Sequence, residues 1–379
     1  MSTAKIEVID QDPLKAIRGF LKSLLDRQDI SALLAPCRLP KKTMVMPTLI
    51  SAGDQVDMID PLTPAFPMNS AKMASRLTRK PSGGRIAALM RPCEIRAFIE
   101  LVKLKQGRSE DLVLIGIDCL GAFGNRDYLK WAGENSDDLT LQYTRKVLSG
   151  KYKGTDGIDL TQACQACEFP ISECADINIG LFGVDTDREI LLQTLTDKGA
   201  HLLDTLDLPT IDFPAARTKD IEGRIAEKIT FRDRMFAQIN EQIDSQEKLG
   251  AFLSSCVNCY NCRVACPVCY CRECVFVTDV FDHEPNQYLH WANRSGAIKM
   301  PTDTMLYHIT RLTHMSTACV GCGQCTNACP NDIPVMALFR TVAHRTQAAF
   351  DYQAGRSLAD NPPMSEFKEE EFEDVVGIN

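Results

Sequence analysis

A cysteine motif that occurs twice constrains this chain of 379 residues more than any other feature of its sequence. The first copy is Cys256-x-x-Cys259-x-x-Cys262-x-x-x-Cys266-Pro267, and the second has the same spacing from Cys319 through Cys322 and Cys325 to Cys329-Pro330. A chain binds two cubane [4Fe-4S] clusters with such a pair of runs, and the cysteine before each proline ligates the cluster of the other run. The motif therefore predicts one cluster at Cys256, Cys259, Cys262 and Cys329, and another at Cys319, Cys322, Cys325 and Cys266. Electron transfer is the first hypothesis for function.

Zinc sites and disulfides are the alternative uses of such cysteines. Zinc would need only two thiolate pairs per tetrahedral site and would leave the Cys-Pro unit of each run unexplained. Disulfides need an oxidising compartment, whereas the polar start MSTAKIEVIDQDPLK lacks the apolar region of a signal peptide. No apolar run approaches the roughly 20 residues that span a bilayer. We therefore expect a cytoplasmic protein whose 17 cysteines stay reduced and mostly ligate metal.

The charge of the chain argues against nucleic acid as a partner. The net charge is −8 at pH 7, and the sequence contains neither a helix-turn-helix signature nor a basic patch. Much of the negative charge lies near the C terminus, at Glu366, Glu369, Glu370, Glu371, Glu373 and Asp374. We expect residues 351–379 to form an acidic, solvated tail, and docking of this tail on a basic partner surface is the alternative.

Residues 81–120 have the pattern of a strand, a helix and a second strand. Arg85–Met90 and Leu112–Ile117 are short apolar runs, and the segment between them places apolar side chains at helical spacing. A right-handed crossover would make the two strands parallel, so that both end at the same edge of the sheet. Cys93 and Cys119 follow the two strands directly, and ligands bind at this edge in open α/β sheets. A third strand is predicted at 175–182.

The predicted architecture is an α/β domain with a mostly parallel sheet, followed by a mainly helical domain with two clusters. The predicted segments are an N-terminal segment packed on the α/β domain (1–80), the α/β domain (81–202), a helical connector (203–250), the two-cluster domain (251–350) and the acidic tail (351–379). The 52 residues between Cys266 and Cys319 exceed what a compact two-hairpin ferredoxin needs. One helix is predicted after Asp303, as its cap, and another from Pro334. This domain resembles the α-helical ferredoxins of succinate dehydrogenase and heterodisulfide reductase, and we interpret His308 and His314 as packing or surface histidines.

The middle of the chain resembles the beta-subunit family of coenzyme F420 hydrogenases and formate dehydrogenases. The resemblance rests on Arg91-Pro92-Cys93-Glu94-Ile95-Arg96-Ala97, Ile115-Gly116-Ile117-Asp118-Cys119, Cys164-Gln165-Ala166-Cys167-Glu168 and Ala175-Asp176-Ile177-Asn178-Ile179-Gly180. It implies a third [4Fe-4S] cluster held by Cys93, Cys119, Cys164 and Cys167. It also implies a flavin, FAD, that exchanges electrons with the deazaflavin coenzyme F420. No G-x-G-x-x-G motif follows a strand to support a nucleotide site independently.

The leading functional hypothesis is an iron-sulfur electron-transfer subunit of a multi-subunit redox complex. The resemblance implies a catalytic subunit of the formate dehydrogenase or hydrogenase type as its partner, with heterodisulfide-reductase-like subunits as further partners. One alternative is a flavin-containing oxidoreductase that takes hydride from coenzyme F420 or NAD(P)H and splits it into single electrons. The other is a cluster-based redox sensor. We find no candidate catalytic nucleophile or acid-base pair in the sequence.

Five cysteines are left after three clusters are assigned. They are Cys37, Cys174, Cys269, Cys271 and Cys274. The last three follow the first motif so closely that a fourth cluster or an exchanged ligand is one use for them. We favour buried structural thiols or thiols that face a partner.

Overall fold

Seven strands form one mixed sheet in this computed structural model, which describes residues 2–27, 30–39, 44–132, 138–150, 154 and 157–366. The strands are β1 (Thr3–Glu7), β2 (Ile30–Arg38), β3 (Val45–Ile50), β4 (Arg85–Met90), β5 (Leu112–Ile117), β6 (Ile177–Gly180) and β7 (Glu189–Thr194). Their order across the sheet is β1-β7-β6-β5-β4-β2-β3.

The centre of the sheet is parallel, as the sequence predicted. β2, β4, β5 and β6 run in the same direction, while β3, β7 and β1 are antiparallel to their neighbours. β4 and β5 have the predicted bounds, and β6 is shorter than the strand predicted at 175–182. Every residue of β5 is buried, which explains its unbroken apolar run, because central parallel strands are covered on both faces.

The first 80 residues are part of the sheet. They were predicted as a segment packed on the α/β domain, but they supply strands at both of its ends. β1 pairs with β7, and β2 pairs with β4. The local sequence pattern does not contain these pairings, because they join segments that are far apart in the chain.

The second half of the chain is mainly helical. The α-helices are α1 (Pro13–Leu25), α2 (Ala71–Leu77), α3 (Pro92–Lys103), α4 (Asn125–Ala132), α5 (Asp138–Leu148), α6 (Gln162–Gln165), α7 (Asp197–Asp204), α8 (Ala215–Gln242), α9 (Gln246–Phe252), α10 (Asn261–Ala265), α11 (Pro285–Ser295), α12 (Thr304–Met315), α13 (Gln324–Asn327) and α14 (Val335–Ala349), with 3-10 turns at Gly53–Met58, Val275–Val277 and Asp279–Phe281. α8 and α9 occupy most of the predicted connector. α12 begins after Asp303 and α14 after Pro334, so both predicted helices of the two-cluster domain are present. None of the helices among the described residues combines the length and apolarity that crossing a bilayer requires.

The α/β domain and the helical domain share an apolar core. Phe98 of α3, Tyr307 of α12 and Phe339 of α14 belong to one cluster of buried side chains that also includes Met90 of β4. Polar contacts reinforce this junction, since the Gln324 side-chain amide donates to the Phe66 carbonyl at 2.9 Å. The arrangement of the thiol groups at the junction therefore depends on both domains.

The start of the predicted tail is packed against α3. Tyr352 is 7% exposed, and its hydroxyl donates to Glu100 Oε1 at 2.6 Å. The Gly355 amide donates to the same oxygen at 2.7 Å, and Arg96 Nε donates to the Ala354 carbonyl at 3.0 Å. The prediction of a solvated tail from residue 351 is therefore wrong for this part. Glu366 is exposed, and the other acidic residues of the predicted tail lie outside the described residues.

Candidate iron-sulfur sites

A pocket at the carboxyl edge of the sheet brings four predicted ligands together. Cys93, Cys119, Cys164 and Cys167 all line it. Cys93 lies in the first turn of α3, directly after β4, and Cys119 lies two residues after β5. Cys164 lies in α6, which Thr161 caps by accepting a hydrogen bond from the Cys164 amide. The ends of two parallel strands thus position Cys93 and Cys119. The capped turn α6 and the residues just after it position Cys164 and Cys167.

Two cations surround this pocket. Arg91 and Lys228 line it, and Lys228 Nζ donates to the Cys164 carbonyl at 2.7 Å. Arg91 Nη2 donates to the carbonyls of Thr63 and Ala65, whereas its buried Nη1 has no hydrogen-bond partner. Burial lowers the pKa of Arg91, but the thiolate of Cys119 and other nearby anions outweigh this effect and raise it. The pocket is therefore built for negative charge.

Burial works against free thiolates in the same pocket. It raises the pKa of Cys119 to about 11, although Arg91 lowers it, and it raises the pKa of Cys167, although Lys228 lowers it. A coordinated thiol is deprotonated, so a metal cluster supplies the positive charge that four buried thiolates need. No group of three or more His, Cys, Asp or Glu within the described ranges could hold a single metal ion. Four thiols and a guanidinium nitrogen without a hydrogen-bond partner fit a group that is larger than a single ion and carries negative charge. A cysteine-ligated cluster is such a group.

The second ferredoxin-type motif lies beside Cys266 of the first. The thiols of Cys319, Cys322 and Cys325 have pKa values raised by burial, and the nearby thiolate of Cys266 raises each of them further. The structure thus brings together the four residues predicted as one ligand set. Cys322 also lines the pocket of Cys93, so the two sets adjoin.

The first motif extends from the interior to the surface. Cys259 is exposed and Cys262 is buried, and the chain between them passes through Tyr260 with a φ of 59°. Cys329, the predicted fourth ligand, lines a groove with Gly323 and Pro334. Its loop reaches the first motif where the Asn331 side chain donates to the Ser255 carbonyl. Cys329 therefore lies near the set to which it was assigned, and its role as a ligand stays a prediction.

α12 covers the first motif with three polar side chains. Tyr307 Oη lies 3.3 Å and Arg311 Nη1 3.1 Å from Cys262 Sγ, and His308 Nε2 lies 3.4 Å from Cys256 Sγ. Burial lowers the pKa of His308 to about 4, and the cations Arg311 and Lys299 lower it further. His308 is thus a neutral, buried neighbour of a predicted ligand, while His314 is exposed. Sequence analysis did not identify Arg311, because nothing local connects it with Cys262.

The five remaining cysteines have no common location. Cys37 is buried in β2, where burial raises its pKa to about 11. The Cys174 thiol contacts the Arg356 carbonyl. Cys269 is half-buried near Cys266, and Cys271 is exposed. Cys274 is half-buried near Tyr260.

A pocket of four thiols in an α/β domain, adjoining a helical domain with two ferredoxin-type motifs, defines an iron-sulfur protein of the electron-transfer class. Residues 313–335 match the 4Fe-4S binding domain. Residues 83–208 match the family described as the C terminus of the beta subunit of coenzyme F420 hydrogenase/dehydrogenase. The match of residues 83–208 to that family model confirms the resemblance found in the sequence.

Two similar proteins extend over almost the whole chain. F420-dependent formate dehydrogenase subunit beta of Methanocaldococcus jannaschii is 24% identical over 373 residues, which cover 92% of this chain and 93% of that protein. F420-dependent formate dehydrogenase 1 subunit beta of Methanococcus maripaludis is 26% identical over 367 residues, with 90% of each chain covered. Among solved structures, one chain of the F420-reducing [NiFe] hydrogenase complex from Methanosarcina barkeri is similar, with 12% identity and a TM-score of 0.44. The match covers 65% of this chain and 94% of that chain.

Proposed function

We propose that this chain is the iron-sulfur relay subunit of a multi-subunit redox enzyme and carries three [4Fe-4S] clusters. The observation that supports it best is the pocket of Cys93, Cys119, Cys164 and Cys167, because its lining includes Cys322 of the second ferredoxin-type motif. Electrons pass most readily between centres that adjoin. A pocket that shares its wall with a ferredoxin-type site is therefore suited to transfer between the two.

The three thiol sets follow one another through the molecule. The pocket adjoins the second motif at Cys322, and Arg311 lies between the second motif and the first. The first motif reaches the surface at Cys259, which is exposed. This order gives a path from the buried edge of the sheet to the surface of the helical domain, where an electron donor or acceptor can approach.

The names of the similar proteins support a formate dehydrogenase as the complex to which the chain belongs. Both are beta subunits of F420-dependent formate dehydrogenases, so we propose a catalytic subunit of the formate dehydrogenase type, or a hydrogenase type, as the partner. A heterodisulfide-reductase-like subunit as a further partner stays a prediction. We assign no catalytic residue to this chain, because the thiol sets serve cluster binding and electron transfer.

A second candidate is a flavoenzyme that accepts hydride from coenzyme F420. It is favoured by the words "F420-dependent" in the names of both similar proteins. FAD would then supply the step from a hydride to single electrons, since flavins exchange both one and two electrons. Bound flavin in the absorption spectrum of the purified chain separates this candidate from the simple relay.

Iron and sulfide analysis of the full chain, purified without oxygen and separated from its partner subunits, tests the proposal. We expect about twelve iron atoms per copy of this chain, four for each cubane. The Cys93→Ser variant should lose about four of them. Cys174→Ser is the matched control and should lose none, because Cys174 does not line the pocket. About eight iron atoms in both the unchanged chain and the Cys93→Ser variant would contradict a third cluster.

A further inference from the structure

α12 places a buried cation between the two ferredoxin-type thiol sets. Arg311 is 4% exposed, and its Nη1 lies 3.1 Å from Cys262 Sγ. Its Nη2 donates to the Cys262 carbonyl at 3.2 Å, so two of its nitrogens contact the same residue. The guanidinium also lies 4.7 Å from the centre of the Phe339 ring, within the range of a cation–π contact.

Arg311 has no carboxylate partner among the residues that the structure describes. The groups near its guanidinium that can carry negative charge are Tyr307 and the thiols of Cys262, Cys266 and Cys325. A buried cation without an anion is costly, so its counter-charge must come from these thiol groups. Cys262 belongs to the first predicted set, and Cys266 and Cys325 belong to the second. One guanidinium therefore faces both.

A second polar group on α12 contacts the same sulfur, and a thiolate there would accept a hydrogen bond from its hydroxyl. Tyr307 Oη lies 3.3 Å from Cys262 Sγ, and the Tyr307 ring packs beneath the guanidinium of Arg311 at 5.5 Å. Hydrogen bonds to ligand sulfurs and nearby net charge set the reduction potential of an iron-sulfur cluster. Reduction adds one electron and hence one negative charge, which a neighbouring cation and hydrogen-bond donors stabilise.

We propose that Arg311 is a positioning residue that raises the reduction potentials of both ferredoxin-type clusters, and raises most the one ligated by Cys256, Cys259, Cys262 and Cys329. This inference rests on the function proposed above. The difference follows from distance, because Arg311 contacts Cys262 directly and reaches the second set only through space. This shift favours reduction of the cluster whose ligands include the exposed Cys259.

Redox titrations of the full chain with its clusters, followed by electron paramagnetic resonance, test the inference. Arg311→Met removes the charge, and we expect the potential of the first cluster to fall by at least about 59 mV, a tenfold change in its one-electron equilibrium. Arg311→Lys keeps the charge but loses the forked contact, so its fall should be smaller. Tyr307→Phe should lower the potential of the first cluster alone. Cys259→Ser, which perturbs only the first set, assigns the titration steps.

Arg345→Met is the matched control, because Arg345 is exposed on α14. The reduction potentials of the clusters in this variant should equal those of the unchanged chain. Unchanged potentials in Arg311→Met, with full iron content, would overturn this inference and leave the proposed function intact. If Arg311→Met loses a cluster, Arg311→Gln, which also removes the charge, decides instead, and an unchanged potential in that variant overturns the inference. An unchanged chain without the two ferredoxin-type clusters would overturn both proposals.

Discussion

Cys266 illustrates how one residue connects two parts of this molecule. It belongs by sequence to the first motif, yet its thiolate lies close enough to raise the pKa values of Cys319 and Cys325 in the second. The proline that follows ends α10, whose C-cap is Cys266 itself in an extended conformation. The backbone therefore changes direction at Cys266. This change allows the Cys266 thiol to project away from the other cysteines of the first motif.

We predict that Cys266→Ala chiefly disturbs the cluster of Cys319, Cys322 and Cys325, because it removes the fourth thiol of that set. The iron content should fall by about four atoms per chain, and the spectrum of the first cluster should persist. The matched control is Cys271→Ala, since Cys271 is exposed and lies outside both assigned sets. Electron paramagnetic resonance of the reduced protein is the measurement. Loss of the first cluster with retention of the second would show that Cys266 serves its own motif.

At the scale of elements, a buried ion pair joins α8 to the end of β5. Arg217 in the first turn of α8 donates to both carboxylate oxygens of Asp118, with Nη2 at 2.9 Å from Oδ1. Both side chains are at most 1% exposed. Asp118 also accepts hydrogen bonds from the amides of Leu181 and Phe182, and it directly precedes Cys119. The ion pair thus fixes the end of β5 from which one thiol of the pocket projects.

Asp118→Asn should lower the free energy of unfolding by about 3–5 kcal/mol, because it leaves the Arg217 charge buried without its partner. Asp111→Asn is the control, since Asp111 pairs with Arg108 at an exposed site and should cost about 1 kcal/mol or less. Denaturant unfolding followed by circular dichroism measures both. Equal effects of the two substitutions would contradict the structural role assigned to the buried pair. Asp118→Asn should also bind the third cluster less tightly, because it removes the ion pair that fixes the chain next to Cys119.

At the scale of the whole molecule, the two domains cannot be treated as separate units. α3 of the α/β domain packs with α12 and α14 in one core, and the segment after α14 returns to Glu100 on α3. The pocket of the third predicted cluster takes part of its wall from Cys322 of the helical domain. Folding of one domain therefore completes the site of the other.

We predict that the cluster-loaded chain by itself accepts electrons from a strong reductant but oxidises neither formate nor hydrogen. Its thiol sets provide for electron transfer, and the similar proteins are beta subunits, which act with other subunits. Turnover should appear when a catalytic subunit is restored. Replacement of Cys256, Cys319 or Cys93 should then reduce transfer to the acceptor and spare the reaction of that subunit with an artificial dye. Substrate turnover by the single chain would instead favour the flavoenzyme candidate.

The sequence by itself determined the features that depend on short spacing. The two cysteine motifs, the strands β4 and β5 with their buried apolar runs, and the common edge of Cys93 and Cys119 all follow from local periodicity and from the rule for parallel crossovers. The resemblance to the beta-subunit family also rested on short runs of residues, and the matched family model confirmed it.

Only the tertiary structure decided the contacts between distant segments. It placed β1 and β2 in the sheet, packed Tyr352 against α3, and brought Arg311 to Cys262 across 49 positions of the chain. Such contacts depend on how preformed elements pack, and an arginine on a helix has the same local pattern whether it faces solvent or a sulfur. The physical reason is that the spacing of residues along the sequence fixes which of them share an element. The burial and the electrostatic surroundings of each residue depend instead on which other elements pack against its own.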